Sequence, residues 1–404
     1  MKKLIIIGSG ISGLASAYYL RKKFKIKIFE KNNYLGGHTH THHLKKENVN
    51  YDSGFIVFNN KNYPNFIKLI NELNVKYQKS NMSFSVLKKD INYEWAGKNL
   101  STIFDLNNLF SIRYLKILKD IIKFSKLCEN KKITKNLKLI DFIKINKLSK
   151  EFAELYLLPM CSSIWSSNIN NILNYNTSFI INFFRNHGLD NIISNRPTWY
   201  TIKNGSNSYI SKLIKVVKPK IYLNTEVVNI DQNRKFIITK KKKVFNYDHI
   251  ILANHSNQIK KILKNKNKDQ LNLLKSVKYQ KNYVCIHTDI KIMPKKTKNW
   301  SSWNYMYYGK KLVLTYWMNL LQKLSCKKDI FISLNYKKIK KKFIIKKILY
   351  EHPIFTKPLD QIENLSNKAQ GINNVWIAGA WLGYGFHEDG VKSALKIKKM
   401  INVK

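Results

Sequence analysis

The chain has 404 residues, of which 44% are hydrophobic and 24% charged. This is enough apolar material for a large buried core and excludes an intrinsically disordered protein. At roughly 150 residues per domain, the length predicts two or three domains. No apolar run reaches the roughly 18 residues of a bilayer-spanning helix. Glycines interrupt the apolar run after Lys2-Lys3, so we expect it to be a retained structural segment and not a secretory signal.

The net charge of +49 would suit a nucleic-acid-binding protein, but only five of the 73 basic residues are arginine. Base-edge and phosphate recognition favours the bidentate arginine side chain. Lysine, asparagine and isoleucine are abundant throughout, including in segments expected to be buried strands, which indicates a coding bias. We therefore expect no nucleic-acid partner. A positive surface attracts acidic lipids, so weak peripheral association with the inner face of an anionic membrane stays open.

The cysteines lie far apart, at Cys128, Cys161, Cys285 and Cys326, and no two of them form a CxxC pair. Neither a zinc site nor a disulfide framework is predicted. A reducing cytoplasm is the simplest compartment for such a chain. A small molecule or a lipid is its expected partner, and the sequence gives no prediction of oligomeric state.

The first predicted elements form a strand, loop, helix and strand at the start of the chain. A buried strand over Lys3–Ile7 leads into Gly8-Ser9-Gly10-Ile11-Ser12-Gly13, a helix follows to Leu20, and a second strand ends at Glu30. In this G-x-G-x-x-G pattern the first glycine makes a tight turn, the second lets a pyrophosphate approach the backbone, and the third lets the helix pack on the strand. The helix N-terminus attracts phosphates, and the acid accepts hydrogen bonds from ribose hydroxyls. The unit predicts a dinucleotide-binding site.

A second glycine pair, Gly36-Gly37, follows soon after the ribose acid, and an NAD site does not need it. This arrangement resembles the extended FAD signature of the flavin amine oxidase superfamily, which includes amine oxidases, protoporphyrinogen oxidases and carotenoid desaturases. That signature usually has an arginine after the glycine pair, contacting the flavin side of the cofactor, and His38 stands in its place here. Asp52 to Ile56 resembles the next loop of the superfamily, which passes beside the flavin ring.

Four histidines follow the glycine pair, at His38, His40, His42 and His43. In a strand, alternate residues share a face, so three of them could converge on a metal ion. The alternative is an extended segment with partly solvated histidines. Neither cysteines nor many carboxylates lie nearby in sequence, so we expect no metal.

The middle of the chain differs from its ends. Residues near 100 to 187 place Leu, Ile and Phe at helical spacing, as in Leu115, Leu118, Ile121 and Ile122. The apolar patch Tyr156–Trp165 is interpreted first as plain core, and lining of a substrate channel is the alternative. Residues 278 to 355 alternate in a strand-like way, so this middle region predicts a mixed substrate domain.

Further strands are predicted between these regions, namely a strand, turn and strand over residues 220–230 and a buried strand that runs into a short loop over residues 248–254. The resemblance implies that Val227 holds the adenine through backbone atoms and that the loop at Ala253 lies over the cofactor. On the residues alone, both could be ordinary sheet strands.

The C-terminal segment predicts a short strand over Asn374–Ala380, a glycine-rich loop, and a final helix near Gly390 with Asp389 as its cap. It resembles the closing motif of the superfamily. The resemblance implies that the helix amides near Gly390 and Val391 face the flavin C2 carbonyl and stabilise the charge that develops there.

The same motif implies a wall for the substrate site. The aromatic cage of the superfamily usually includes a tyrosine in this loop, and Phe386 takes that position here, with Tyr384 nearby. Phenylalanine keeps the ring without the hydroxyl, so a hydrocarbon substrate suits the site as well as an amine does.

Within the superfamily, the whole chain most resembles a bacterial group of FAD/NAD-binding oxidoreductases. The segments that carry this match are residues 36–41, 52–59, 63–66, 198–206 and 385–390. Members of the group are often associated with cyclopropane-type fatty-acid modification, which implies a lipid substrate.

The predicted fold is α/β, with a Rossmann-type FAD-binding domain, a parallel sheet with flanking helices, and an inserted mixed α+β substrate domain. The FAD-binding domain is expected over residues 1–85, 203–265 and 355–404, and the substrate domain over residues 86–202 and 266–354. The expected cofactor contacts are Gly8, Gly10, Ser12, Gly13, Glu30, Lys31, Gly36, Gly37, His38, Gly54, Phe55, Ile56, Val227, Ala253, Gly379, Gly390 and Val391.

The resulting functional prediction is an FAD-dependent oxidoreductase, with noncovalent FAD, that takes hydride from a substrate C–H bond to flavin N5. Amine oxidation and lipid or isoprenoid oxidation or desaturation rank equally. A fatty-acyl desaturase and an NAD-dependent dehydrogenase are the alternatives, and the C-terminal glycine loop counts against the dehydrogenase. No catalytic acid or base can be assigned, because lysines are too numerous to single one out.

Overall fold

The computed structural model describes residues 1–91, 93–97, 111–129, 137–186, 197–294, 296–308 and 311–403. Its strands, numbered along the chain, are β1 (Lys2–Ile7), β2 (Phe24–Phe29), β3 (Thr41–Leu44), β4 (Val49–Asp52), β5 (Phe58–Asn59), β6 (Tyr77–Lys79), β7 (Phe84–Lys88), β8 (Tyr93–Gly97), β9 (Trp199–Ile202), β10 (Lys220–Tyr222), β11 (Val227–Asp231), β12 (Phe236–Thr239), β13 (Val244–Asn246), β14 (His249–Leu252), β15 (Leu263–Lys264), β16 (Lys278–His287), β17 (Trp303–Tyr308), β18 (Lys311–Trp317), β19 (Phe331–Leu334), β20 (Ile344–Ile354) and β21 (Val375–Ile377).

The helices are numbered in the same way. They are α1 (Ile11–Leu20), α2 (Pro64–Glu72), α3 (Ile112–Glu129), α4 (Leu139–Ile145), α5 (Lys150–Phe152), α6 (Leu158–Ile164), α7 (Ile169–Leu173), α8 (Thr177–Asn186), α9 (Asn207–Val217), α10 (Ser256–Ile262), α11 (Lys268–Lys275), α12 (Met318–Leu321), α13 (Leu359–Ala369) and α14 (His387–Val403). A π-helical segment, Ala153–Leu157, joins α5 to α6. In the described part of the chain, no helix combines the length and apolarity needed to cross a bilayer.

A five-stranded parallel sheet with the order β10-β2-β1-β14-β21 forms the base of the fold. Its central strand β1 buries Leu4, Ile5 and Ile6 completely, because helices cover both faces of a parallel sheet. Helix α1 makes the crossover to β2, and the final helix α14 packs against α1. The first and last elements of the chain are therefore neighbours, and the predicted Rossmann-type fold class is confirmed.

A seven-stranded sheet with the order β20-β16-β19-β18-β17-β7-β8 forms the second layer. All of its pairs are antiparallel except β17 with β7, which is parallel. The helices between residues 112 and 186 share one hydrophobic core with this sheet, in which Phe152 and Tyr305 are fully buried or nearly so. The strand-like alternation of residues 278 to 355 was thus interpreted correctly.

Three smaller sheets connect the two layers. They are β13-β12-β11-β15, β3-β4 and β5-β9-β6. Strand β9 lies in the predicted substrate domain. It pairs with β5 and β6, which lie in the predicted FAD-binding domain. The exact domain limits stay a prediction.

The helical spacing of residues 115–122 is confirmed by α3, in which Ile121 is buried, whereas Leu115 is 52% and Ile122 56% exposed. One local prediction differs from the structure. The final helix begins at His387, three residues before Gly390. Asp389 is therefore not the cap residue: it lies inside the first turn, and its carboxylate reaches back to accept a hydrogen bond from the Phe386 N–H at 3.0 Å.

Candidate active site

A cavity of about 1670 Å³ opens between the carboxyl ends of the parallel strands and the seven-stranded sheet. This volume exceeds the roughly 300–1,000 Å³ of a site for one small ligand. The position is where open α/β sheets bind ligands, because loops and helix N-termini converge there. Of the predicted cofactor contacts, those lining the cavity are Gly8, Gly10, Ser12, Glu30, Lys31, Gly36, Gly37, His38, Gly54, Phe55, Ile56, Val227, Ala253 and Gly379.

The first glycine loop combines two kinds of glycine. A Cβ added to Gly13 would lie 2.1 Å from the carbonyl oxygen of Gly8, so this position serves helix-to-strand packing. A Cβ added to Gly10 would meet nothing within 4 Å, because this residue faces the open cavity at the start of α1. The first amides of α1 have no intrahelical acceptor. This bare backbone at a helix N-terminus fits a pyrophosphate.

Glu30 is held at the cavity edge by the same loop. Its Oε2 accepts hydrogen bonds from the Ser9 N–H at 3.0 Å and the Ser9 hydroxyl at 2.7 Å, and its Oε1 accepts from the Asn32 N–H at 3.0 Å. The residue is 6% exposed, so the carboxylate is fixed before a ligand arrives. This geometry fits an acceptor for ribose hydroxyls.

The second glycine pair crosses the first loop. Gly36 and Gly37 both have positive φ, at 114° and 60°, and the Gly36 N–H donates to the Ser9 carbonyl at 3.0 Å. A Cβ added to Gly54 would lie 2.1 Å from the His38 carbonyl oxygen, to which the Phe55 N–H donates at 2.8 Å. Three chain segments therefore meet at this end of the cavity, and residues larger than glycine would separate them.

Val227 and Ala253 border the same end of the cavity. The Thr225 N–H donates to the Glu30 carbonyl at 2.9 Å, which brings the start of β11 next to the ribose acid. The Ala253 N–H donates to the Ile7 carbonyl at 2.8 Å and so extends β14 over the first glycine. Both positions fit the adenosine side of a dinucleotide.

A group of rings around His38 was not predicted as a unit. The His38 ring centroid lies 4.8 Å from Tyr350, 5.2 Å from His352 and 5.9 Å from His255, and all four residues line the cavity. Burial, followed by the neighbouring imidazoles, lowers the pKa of His38 well below its usual value, and burial lowers the pKa of His352 to about 4. Besides His38 itself, only His255 carried a sequence signal, since it lies in the loop that follows β14. The rings of His38 and His352 are therefore uncharged at neutral pH.

The other predicted histidines have separate partners. His40 Nδ1 lies 3.0 Å from the Tyr350 hydroxyl, His42 Nε2 lies 2.8 Å from the Ser53 hydroxyl, and His43 is exposed on the other face of β3. Burial lowers the pKa of His40 to about 4 and that of His42 to about 3. The described residues contain no group of three or more side chains placed to hold a metal ion.

The closing loop forms an aromatic wall with the helical segment. The Phe386 ring stacks on Phe183 with centroids 5.3 Å apart, and the Tyr384 ring lies 5.0 Å from Phe179. The Trp165 indole N–H donates to the Tyr384 carbonyl at 3.3 Å. Burial raises the pKa of Tyr384 to about 12, so the phenol is neutral. The predicted wall residues therefore line the cavity opposite the glycine loops.

Residues 11–288 match the family model of flavin-containing amine oxidoreductases, which is more than half of the chain. The chain belongs to this family. The family assignment confirms the predicted superfamily and makes the protein a flavin-dependent oxidoreductase. It also goes against the alternative of a dehydrogenase that uses only NAD.

Individual relatives of this flavin oxidoreductase cover several substrate classes. A stretch of 229 residues is 29% identical to 1-hydroxycarotenoid 3,4-desaturase of Flavobacterium sp., covering 55% of this chain and 43% of that protein. The chain spans less than half the length of the curated relatives it matches. The structure resembles the CLA-producing fatty acid isomerase from P. acnes, with a TM-score of 0.65, 14% identity and coverage of 100% and 98% of the two chains. It also resembles cyclohexylamine oxidase from Brevibacterium oxydans, with a TM-score of 0.68, 13% identity and 99% coverage of both chains. At such identities the likeness concerns the fold alone.

Three predicted contacts of the flavin oxidoreductase lie outside the cavity lining: Gly13, Gly390 and Val391. The Gly390 N–H donates to the Phe386 carbonyl at 3.2 Å, so it is already used inside the helix. A Cβ added to Gly390 would lie 2.7 Å from Ile11 Cγ2, so this glycine allows α14 to approach α1. The prediction that the amides near Gly390 face the flavin carbonyl is corrected: amides without an intrahelical acceptor belong to the turn that starts at His387.

Two buried carboxylates join segments that lie far apart in the sequence. Asp52 accepts hydrogen bonds from the Ser206 N–H at 3.0 Å and the Ser206 hydroxyl at 2.6 Å, at the start of α9. Glu388 accepts from the Phe66 N–H at 2.9 Å and the Asn65 side chain at 2.6 Å, at the start of α2. Both acids therefore hold helix N-termini in place.

The apolar patch Tyr156–Trp165 divides between core and cavity. Leu157, Leu158 and Cys161 are buried in the core. Tyr156 and Met160, on the other side of the helical turns, line the cavity. The core interpretation is correct for one face of the segment, and the other face lines the cavity; that a substrate passes there stays a prediction.

Proposed function

We propose that this flavin oxidoreductase binds FAD noncovalently and oxidises a C–H bond of an apolar chain, a lipid or an isoprenoid. The observation that carries the proposal is the composition of the chamber beyond the glycine loops. Aromatic and aliphatic side chains predominate there, and they alternate with small polar ones such as Ser83, Ser163 and Ser166. The aromatic and aliphatic side chains are Tyr114, Ile117, Leu118, Ile121, Tyr156, Met160, Ile164, Trp165, Phe183, Trp303, Tyr316, Phe355 and Phe386.

The charges along the cavity favour a neutral substrate over an amine. The carboxylates in the lining are Glu30, Glu226 and Glu351. The first two border the adenosine side, and Glu351 lies 3.4 Å from His255. A buried ammonium ion needs a negatively charged partner, and the described lining residues of the aromatic chamber include no carboxylate. An alkyl or polyene chain loses no hydrogen bond there and gains from leaving water.

FAD is preferred over a smaller flavin because the cavity extends to the adenosine side. Glu30 accepts from a ribose, Gly10 lets the pyrophosphate approach, and the start of α1 offers amides to it. When bound, FAD supplies a hydride acceptor at N5. The chain then binds and aligns the substrate, and its aromatic wall excludes water from the reacting bond.

Amine oxidation is the second candidate, and a specific observation favours it. Tyr384 and Phe386 lie two residues apart in the closing loop and both line the cavity, as a pair of rings flanking a neutral amine would. The carotenoid substrate named for the curated relative supports the lipid alternative, and the amine named for cyclohexylamine oxidase supports this one.

The decisive experiment is anaerobic reduction of the bound flavin. Purified holoprotein is mixed with polyene or unsaturated lipids in detergent and, separately, with aliphatic and aromatic amines, while flavin absorbance is followed. We expect bleaching by a lipid and none by amines. Bleaching by amines alone would replace the proposal with the second candidate. A thermal shift produced by NAD⁺ but not by FAD would contradict the cofactor assignment itself.

A further inference from the structure

The outward face of helix α3 exposes apolar side chains. Ile112 is 74% exposed, Leu115 52% and Ile122 56%. With 3.6 residues per turn, spacings of three and seven residues place all three on one side of the helix. Large aliphatic side chains in such a row are unusual on a surface that contacts only water.

The same side of α3 is cationic. Lys119 and Lys126 are exposed there, and Lys116 keeps a side chain that is 53% exposed although it pairs with Glu151 at 3.2 Å. Of the two acids of the helix, Asp120 points inward, where its carboxylate accepts from the Ser149 N–H at 2.7 Å, and Glu129 is exposed at the C-terminal end. The outward face therefore combines aliphatic tips with lysines.

The inward face of α3 belongs to the substrate chamber. Tyr114, Ile117, Leu118 and Ile121 line the cavity. A single helix thus separates the chamber from the exposed row of Ile112, Leu115 and Ile122. A molecule that contacts this row lies about one helix diameter, roughly 10 Å, from the chamber.

We propose that the outward face of α3 docks on an anionic phospholipid bilayer and brings the chamber next to a membrane-dissolved substrate. Aliphatic side chains enter the acyl boundary while lysines reach phosphate groups at the surface. The net charge of +49 adds long-range attraction to an acidic leaflet. The same charge repels a second copy of the chain, and lysines interrupt the apolar row, which a protein-binding groove would keep continuous.

The test measures binding without any substrate, so it is independent of the proposed reaction. Full-length holoprotein is sedimented with phosphatidylcholine vesicles that contain or lack phosphatidylglycerol. The variants are Ile112→Ser/Leu115→Ser/Ile122→Ser and, as a matched control outside α3, Val216→Ser/Val228→Ser/Val244→Ser. We expect binding only to the anionic vesicles, at least tenfold weaker for the α3 variant and unchanged for the control.

Two results would overturn the proposal. One is wild-type protein that stays in the supernatant with anionic vesicles at about 0.1 M salt, where surface charges still act over about 10 Å. The other is equal binding of the α3 variant and the control variant to anionic vesicles. That result would show that binding depends on general charge attraction and not on the exposed row of α3. Flavin reduction by a detergent-solubilised lipid, unchanged in the α3 variant, would show that this variant is folded and that the reaction does not depend on docking.

Discussion

At the scale of single residues, Gly10 and Gly13 have different structural roles within one motif. Gly10 has φ −65° and ψ 176°, a conformation that any residue adopts, and it faces open space. Gly13 touches the backbone of Gly8. The first position is therefore constrained by a ligand and the second by the fold itself.

The first prediction concerns Gly10→Val. We expect the variant to fold with nearly unchanged stability and to lose FAD, because the new side chain occupies the space in front of the α1 amides. Flavin absorbance per protein and the melting temperature measure the two effects. Gly13→Val is the contrasting variant, and it should lose stability as well. Full flavin occupancy in Gly10→Val would contradict the placement of the pyrophosphate.

The second prediction concerns Phe386, which stacks on Phe183 at the cavity wall. Phe386→Ala should leave FAD bound and slow flavin reduction about 10- to 100-fold, because a misplaced donor carbon loses alignment. Phe386→Tyr separates the substrate classes: an amine tolerates the added hydroxyl, whereas a buried alkyl chain leaves it unpaired. Stopped-flow reduction measures both variants. Rates for Phe386→Ala equal to wild type with every accepted substrate would remove this residue from the wall.

At the scale of elements, helix α14 does more than follow the loop that lines the cavity. It also holds the start of helix α2 in place. Glu388, in the first turn of α14, is 3% exposed and accepts from the first amides of α2. Those amides have no partner within α2 itself. The carboxylate therefore joins two helices that are distant in sequence.

The third prediction tests this junction. Glu388→Gln keeps the shape and removes the charge, so we expect a loss of about 1–3 kcal/mol in the free energy of unfolding. The matched control is Glu363→Gln, whose side chain is 64% exposed and lies 3.9 Å from Lys396. The control should change stability by less than about 0.5 kcal/mol. Denaturant unfolding measures both, and equal stabilities of the two variants would contradict the role of Glu388.

At the scale of the whole molecule, burial of uncharged histidines ties stability to pH. Burial lowers the pKa of His42 and His387 to about 3, and that of His287 and His352 to about 4. Unfolded histidines titrate near 6.5. Between these values the unfolded chain binds more protons, so the stabilisation is complete above about pH 6.5 and is lost as the pH falls toward the folded values. Asp389, whose pKa burial raises to about 6, acts in the opposite direction.

The fourth prediction follows from this sign. Acidification from pH 7 to pH 5 should lower the melting temperature. Each histidine that stays neutral in the folded protein should lower the free energy of unfolding by up to about 1.4 kcal/mol per pH unit below 6.5. His387→Gln removes one such group while offering an amide to Thr39, which lies 2.9 Å from His387 Nε2. Its stability should fall less steeply with acid than that of the wild type. Identical slopes for the two proteins would contradict a neutral His387.

The sequence by itself determined the dinucleotide unit, the family and the outline of the fold. The spacing of Gly8, Gly10 and Gly13 is a local pattern, because the tight turn and the close packing of helix on strand that it allows involve residues near one another in sequence. The aromatic wall at Phe386 was also predicted, because its loop carries its own glycines. Such features are local, and local patterns can be interpreted without coordinates.

Only the tertiary structure decided which side chains converge. His38 and His352 come from opposite ends of the chain, and no local pattern relates the cofactor loop to β20. The start of α14 at His387 depends on Asp389 and on the burial of Glu388 against α2, which a helical period does not encode. Both faces of α3 carry isoleucine, and only packing on the chamber separates buried Ile121 from exposed Ile122. The physical reason is common to all three: burial and long-range hydrogen bonds are set by elements that the folded chain brings together.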